Sequence, residues 1–272
     1  ITNDYEFVND NPEADLDHLF TYVIDNDILY LRFSNFQIIG QLMNANNPDK
    51  PETLDALAVY CEYLNQLLFN QEIKGVIVDV RHNTGGYLWD MFTVLGPLLK
   101  EDIHVLDTKT KMGIGRLDYG EWIPWTTQVT TQRQIGELLD YSEPLPETDC
   151  IGDRQLVLLV DNWSVSMSEM TAVPVKNLPY AKVIGQRTYG GLGPLSDNTH
   201  TSFSGQFGDS NLKKTSYSVY TSTWLSRTPD GELLEGKGVT PDIPVALDLE
   251  RLTQQHIDTQ LEYAIDFLHG KK

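Results

Sequence analysis

Two short apolar runs and three longer stretches set the hydrophobic pattern of this chain. Residues 75–81 and 156–160 are rich in Val, Leu and Ile, as is typical of strands buried on both faces of a parallel sheet. Apolar residues recur at helical spacing over 54–68, and 87–99 and 252–268 also predict helices. Because strands alternate with helices, the pattern predicts an α/β domain with parallel pairing.

Strands are also predicted at 28–33 and 103–106, but residues 107–150 break the alternation. Gly, Pro and Trp crowd this segment, which predicts an insertion with a hairpin near 109–128 and a short helix near 131–141. Within it, Trp122 and Trp125 could line a substrate site or cover an edge of the core.

The ends of the chain suggest how the domain is divided. Residues 1–25 are acidic and predicted to be irregular, so we expect a lead-in or the end of an upstream domain, followed by one core over 26–272. The chain begins at Ile1 and carries no signal peptide, which suggests a processed product. No apolar run is long enough to span a bilayer.

Composition narrows the class of partner. The net charge of −19 argues against nucleic acid and an anionic membrane surface. Cys61 and Cys150 do not make a disulfide framework; Cys61 is predicted to be a buried free thiol, and a bridge between the two stays open. No metal-ligand spacing and no phosphate loop is found, so the sequence predicts no metal and no cofactor.

Candidate chemistry lies directly after the strand at 156–160. Ser164, Ser166 and Ser168 stand at alternate positions, and Glu169 follows Ser166 by three residues. A serine in this place is held at the carboxyl edge of the sheet, beside N–H groups that can stabilise an oxyanion. The same spacing also matches a plain capping box, so both interpretations stand at this point.

A second candidate follows the strand at 75–81. Gly85 and Gly86 let the backbone approach a substrate closely and can present an N–H group, or they simply form a tight turn.

Three motifs in this order resemble the catalytic domain of the C-terminal processing (tail-specific) serine peptidases. They are Val78-Asp-Val-Arg-His-Asn-Thr-Gly-Gly86, Ser164-Val-Ser-Met-Ser-Glu169 and Glu235-Gly-Lys-Gly-Val-Thr-Pro-Asp242. Within that family the chain is more similar to the branch of the tricorn core protease and the interphotoreceptor retinoid-binding protein modules. The resemblance implies a crotonase/ClpP-like α/β fold.

The resemblance also implies a mechanism. Ser166 is the expected nucleophile and forms an acyl-enzyme with a peptide substrate that enters by an exposed, C-terminal end. The backbone N–H groups of Met167 and Gly86 are expected to hold the oxyanion, and Glu235 to support the site; a surface position in a turn is the other possibility for Glu235. Relatives imply a bacterial envelope location and allow an oligomer.

The general base is not found in the sequence. Many relatives use a lysine, but Gly191 stands at its position, and the histidine motif of the tricorn-like branch does not occur here. The histidines are His18, His82, His104, His200, His256 and His269; His82 and His200 lie beside the glycine motifs, although neither matches a catalytic position of the family.

Two explanations follow from the missing base. Either it lies upstream of Ile1, or the chain is an inactive or incomplete member that acts as a peptide- or apolar-ligand-binding module. A coenzyme A-dependent crotonase relative would share the fold but would not predict the serine and terminal motifs.

Overall fold

A seven-stranded sheet forms the centre of the molecule. The computed structural model describes residues 6–7, 19–38, 51–113, 115–193, 205–207, 217–219, 222 and 224–272. Along the sheet the strands are β1 (Glu6–Phe7), β2 (Leu19–Ile24), β3 (Ile28–Phe33), β4 (Gly75–Asp79), β7 (Gln155–Val160), β8 (Ala181–Gly185) and β12 (Ile243–Pro244). The strands from β3 to β12 pair in parallel, which confirms the predicted α/β class.

Helices cover both faces of this sheet, which explains the continuous apolar runs. On one face lie α1 (Pro51–Phe69), α2 (Leu88–Leu95) and α4 (Met167–Val175); on the other lies α6 (Thr259–Leu268). Val76 and Val78 of β4 join the first core and Ile77 the second, so every residue of the strand is buried.

Strand β2 corrects the prediction that residues 1–25 are irregular. Leu19–Ile24 pairs antiparallel with β3 over six residues. Its burial alternates incompletely, as expected of a strand near a sheet edge with one face in the core. The predicted division at residue 25 remains a prediction.

The strand predicted at 103–106 is present, but it lies outside the parallel sheet. β5 (Ile103–Thr110) pairs antiparallel with β6 (Ile123–Thr127) and with β11 (Trp224–Arg227) in a separate three-stranded sheet. The chain turns back from β5 into β6 without a crossover helix, and parallel pairing requires such a crossover. The predicted hairpin is thus confirmed, as is the short helix, α3 (Gln132–Leu138).

The C-terminal segment forms two helices where one was predicted. α5 (Leu249–Gln255) ends at His256, which adopts φ +58°, and α6 begins at the cap Asp258, whose carboxylate accepts from the N–H groups of Gln260 and Leu261. A left-handed residue followed by a new cap ends one helix and starts the next.

The remaining predictions concern smaller features. A further two-stranded sheet pairs Tyr217–Val219 (β10) antiparallel with Gly205–Phe207 (β9). Cys61 is half-buried and Cys150 buried; both are free thiols, so the possible bridge is wrong. Burial raises the pKa of Cys150 to about 12. Among the described helices, none has the length and apolarity needed to cross a membrane.

Candidate active site

Ser166 occupies a sharp turn between β7 and α4. Its backbone has φ +57° and ψ −113°, a conformation that costs energy for a residue with a Cβ and that is found at nucleophile turns. The Glu169 N–H donates to the main-chain carbonyl of Ser166 at 2.9 Å, and the Glu169 carboxylate accepts from the Ser166 N–H, so the capping box predicted from the sequence is present at this turn. Ser166 lines a cavity of about 600 Å³.

Glu169 connects the nucleophile turn to the glycine loop. Its side chain is 0% exposed. One carboxylate oxygen accepts from the Thr188 hydroxyl at 2.5 Å and the Gly190 N–H at 2.7 Å; the other accepts from the N–H groups of Gly191 at 2.8 Å and Ser166 at 3.1 Å. Four donors compensate the burial of one charge, and together they fix the backbone of Ser166.

The glycine turn after β4 packs directly on the nucleophile. Gly85 has φ +91°, and a Cβ added there would lie 2.6 Å from the Cβ of Ser166. Gly86 has φ +147°, and a Cβ there would overlap the Phe36 carbonyl oxygen. Only glycine allows both the backbone conformation and this close approach.

Asn83 fixes the geometry of that turn. It is fully buried; its amide oxygen accepts from the Gly85 N–H at 2.8 Å, and its amide nitrogen donates to the Phe33 carbonyl at 2.8 Å. Its own carbonyl accepts from the Val165 N–H and the Ser168 hydroxyl, each at 2.9 Å. Asn83 therefore joins the end of β3, the glycine turn and the start of α4.

Two backbone donors remain available beside Ser166. Gly86 and Met167 line the same cavity, and within the described residues neither N–H donates to a protein acceptor. The Met167 N–H belongs to the first turn of α4, where the helix dipole favours negative charge. The arrangement can stabilise an oxyanion that forms on a carbonyl attacked by Ser166.

The third sequence motif, residues 235–242, also contributes to the site. Glu235 accepts a hydrogen bond from the Gly193 N–H at 2.7 Å and lines the cavity with Ser166, although it is exposed. The Gly236 N–H donates to the Gly190 carbonyl at 2.7 Å, and the Val239 N–H donates to the Thr188 hydroxyl at 2.6 Å. The three sequence motifs thus meet at one edge of the sheet.

No histidine or lysine occurs in the described part of the cavity lining. Tyr87 and Glu235 are its titratable side chains, and Gly191, at the lysine position, also lines it. His82 instead contacts the Asp161 carboxylate at 3.2 Å, with its side chain 59% exposed.

The other described histidines also have partners or positions outside the cavity. His104 contacts Asp107 at 2.8 Å, His269 contacts Asp27 at 3.1 Å, and His256 ends α5. His18 and His200 lie outside the described residues. Across the described ranges, no group of three or more His, Cys, Asp or Glu side chains is arranged to hold a metal ion.

A second buried carboxylate lies at the end of β4. Asp79 accepts from the Tyr30 hydroxyl at 2.7 Å and pairs with Arg81 at 2.6 Å; Arg81 also reaches Asp258 at 2.7 Å and Gln260 at 3.0 Å. Burial alone would raise the pKa of Asp79, but the Arg81 charge and hydrogen bonds hold it below its ordinary value. The network ties α6 to β4.

Sequence reasoning missed the roles of Asn83 and Glu169. Asn83 is a polar residue between a buried strand and a Gly-Gly pair, and Glu169 stands at capping-box spacing from Ser166. Both signals are visible in the sequence, but most of their partners are remote along the chain, such as Phe33 for Asn83 and Gly190 for Glu169. Of the two positions predicted for Trp125, the one at the edge of the core is confirmed: it packs against the core and donates its indole N–H to the Thr108 hydroxyl at 2.7 Å.

Several known proteins are similar to this chain. Proteins described as "Probable CtpA-like serine protease" are 28% identical over 177 residues in Staphylococcus epidermidis ATCC 12228 and 26% identical over 174 residues in Staphylococcus aureus MRSA252. The matches cover 65% and 64% of this chain but 28% and 27% of those proteins. The chain therefore spans little more than a quarter of the curated relatives it matches.

Solved structures share the fold. A candidate peptidase from Parabacteroides merdae superposes with a TM-score of 0.64 at 22% identity, covering 98% of this chain and 66% of that one. Mature CPAF superposes with a TM-score of 0.61 at 15% identity, covering 92% and 53%. At these identities the likeness establishes the fold alone.

The family itself is established by sequence. The model of peptidase family S41 matches residues 27–245, a span that contains Ser166, the glycine turn and Glu235. This confirms the resemblance at the level of the family, while the tricorn-like branch stays a prediction. Since the match extends over most of its length, this chain belongs to peptidase family S41.

Proposed function

We propose that this chain is the core of a serine peptidase in which Ser166 forms an acyl-enzyme with a polypeptide substrate. The observation that carries the proposal is the strained Ser166 turn at a cavity of about 600 Å³, beside the N–H groups of Gly86 and Met167, which have no acceptor among the described residues. A structural cap needs neither the strained backbone nor two unpaired donors at a cavity.

The reaction follows from this arrangement. A base removes the proton of the Ser166 hydroxyl as its oxygen attacks the peptide carbonyl, and the developing oxyanion accepts from Gly86 and Met167. The protonated base gives its proton to the leaving amine, and water then hydrolyses the ester. Glu235 supports the base, which we place outside the described residues, in a segment upstream of Ile1 in the full-length protein.

The setting of the enzyme is part of the proposal. Similarity to proteins described as CtpA-like serine proteases supports a polypeptide substrate. Its entry by an exposed C-terminal end and a location in the bacterial envelope are carried over from the family resemblance. The net charge of −19 favours a polypeptide over nucleic acid as the partner.

A binding module is the second candidate. It is favoured by the absence of histidine and lysine from the described cavity lining. In that case the cavity would hold a peptide or an apolar ligand, and Ser166 would have no partner to activate it.

Fluorophosphonate labelling with peptide mapping separates these functions. We expect the full-length protein to be labelled at Ser166, and the Ser166→Ala protein, which retains every backbone contact of the turn, to be unlabelled. Labelling of the full-length protein but not of residues 1–272 would place the base upstream. If both forms are folded and neither is labelled, the peptidase proposal fails and the binding module stands.

A further inference from the structure

A row of four aromatic rings extends from the surface towards β11. Trp89 meets Phe92 edge to face at 6.1 Å between ring centroids, Phe92 meets Trp125 at 6.4 Å, and Trp125 meets Trp224 at 6.0 Å. Helix α2 supplies the first two rings, β6 the third and β11 the fourth, so the row joins a helix packed on the seven-stranded sheet to the three-stranded sheet.

Both ends of the row adjoin the cavity that contains Ser166. Tyr87 and Leu88, the residues before Trp89, line it. At the other end Ser222 lines it, and its hydroxyl donates to the Trp224 carbonyl at 2.7 Å. The four rings are not themselves among the cavity-lining residues, so the aromatic row borders the proposed substrate site through these chain neighbours.

The rings differ in how much of their surface is covered. Phe92 and Trp125 are partly buried and pack against the main core, which holds them in place. Trp89 is 61% exposed, with one edge fixed against Phe92. A large exposed ring held rigid beside a cavity presents an apolar face at low entropic cost to a ligand.

We propose that Trp89, supported by Phe92, Trp125 and Trp224, forms a subsite that binds an aromatic side chain of the polypeptide substrate. The proposal rests on the proposed function, because it takes the cavity at Ser166 as the place where a peptide binds. An aromatic residue at one fixed distance from the bond to be cleaved would stack on Trp89 and extend the row by one ring.

A phenylalanine scan tests the subsite by binding. A single phenylalanine is moved through each position of an otherwise alanine–serine decapeptide, and affinity is measured by calorimetry with full-length Ser166→Ala protein. We expect one position to bind about three- to ten-fold more tightly than the parent peptide, as an aromatic contact contributes. Adding Trp89→Ala should reduce that preference to within about two-fold.

Phe69→Ala is the matched control. Phe69 is also an exposed ring, 43%, packed edge to face on Tyr141 at 5.1 Å. It ends α1 just before β4 begins, which places it at the amino edge of the sheet, away from the cavity. The preference should persist in this variant. A preference unchanged by Trp89→Ala, or no preferred position in the parent protein, overturns the subsite.

Cleavage of the same peptides by the protein with Ser166 intact keeps the two proposals separate. Positional preference in binding with no cleavage of any peptide retains the subsite and contradicts the peptidase. Cleavage that is indifferent to the phenylalanine position and to Trp89→Ala retains the peptidase and contradicts the subsite.

Discussion

Two fully buried carboxylates near the carboxyl edge of the sheet are stabilised in different ways. Asp79 at the end of β4 faces a cation, Arg81, whereas Glu169 in the first turn of α4 accepts from four uncharged donors. The first joins two rigid elements, β4 and α6. The second joins the nucleophile turn to the backbone N–H groups of Gly190 and Gly191.

The difference suggests separate roles for stability and for chemistry. A buried ion pair that loses one partner leaves the other charge without compensation, so the free energy of unfolding falls. When a carboxylate orients backbone N–H groups around a nucleophile, its replacement lowers the reactivity of that nucleophile first. We therefore regard Glu169 as a positioning residue and Asp79 as a structural one.

The largest expected effect is on stability, from Asp79→Ala. Removing this carboxylate leaves the Tyr30 hydroxyl and part of the Arg81 guanidinium without a partner, and should lower the free energy of unfolding by about 3–5 kcal/mol. Urea denaturation measures the loss. The labelling rate of Ser166 per folded molecule should stay within about two-fold; a hundred-fold fall would show that the Asp79 network also sets the site.

We expect the second largest effect from Gly85→Ala, because the added Cβ would clash with the nucleophile. The added Cβ would lie 2.6 Å from the Ser166 Cβ and 2.9 Å from the Val165 carbonyl oxygen, so the turn must move and the labelling rate should fall by about 100-fold or more. Gly231→Ala is the control, because Gly231 has φ +93° and no atom of the described residues lies within 4 Å of the added Cβ.

The control isolates the cost of the backbone conformation from the cost of the clash. Gly231→Ala should lower the free energy of unfolding by about 1 kcal/mol and leave labelling unchanged. Equal effects of the two glycine variants on labelling would contradict the packing of Gly85 on the nucleophile.

Glu169→Gln sharpens the comparison directly. The amide keeps the shape, but its nitrogen must face N–H donors that the carboxylate accepted, so the Ser166 turn and the glycine loop lose contacts. We expect the labelling rate to fall by about 10- to 100-fold. A labelling rate of Ser166 that stays nearly unchanged, together with a large loss of stability, would assign Glu169 the same structural role as Asp79.

We expect the smallest effect, on the free energy of unfolding, from lowering the pH. Because the pKa of folded Asp79 lies below its ordinary value, its ionised form stabilises the fold above about pH 4, and this contribution is lost as the pH falls through the folded pKa. Unfolding free energies from pH 7 to 3 should therefore decline less steeply in Asp79→Asn than in the natural protein. Parallel pH profiles would contradict the lowered pKa.

Much of the fold could be predicted because the hydrophobic pattern of a few neighbouring residues indicates which segments are buried. The apolar runs in β4 and β7 indicate strands covered on both faces, and the structure places helices there. Strand β5 shows the limit: its sequence predicts a strand but not its partner, and the choice of an antiparallel sheet with β11 depends on residues more than a hundred positions away.

The site shows the same division. The family resemblance, together with the position of the first two motifs after buried strands, predicted that Ser166, the Gly85–Gly86 turn and Glu235 belong to one site, and the structure brings them together. The sequence could not show that the His82 side chain contacts Asp161, or that Glu169 accepts hydrogen bonds from Gly190 and Gly191. Those are hydrogen bonds and ion contacts made across the fold.

By itself, then, the sequence determined which segments are buried, where the chain turns, and the order of the three motifs. The tertiary structure alone decided which strands pair, that the last helix is divided at His256, and which donors each buried carboxylate receives. The physical reason is that hydrophobic periodicity and turn chemistry act over a few residues, whereas polar compensation of a buried charge depends on groups brought near by the whole fold.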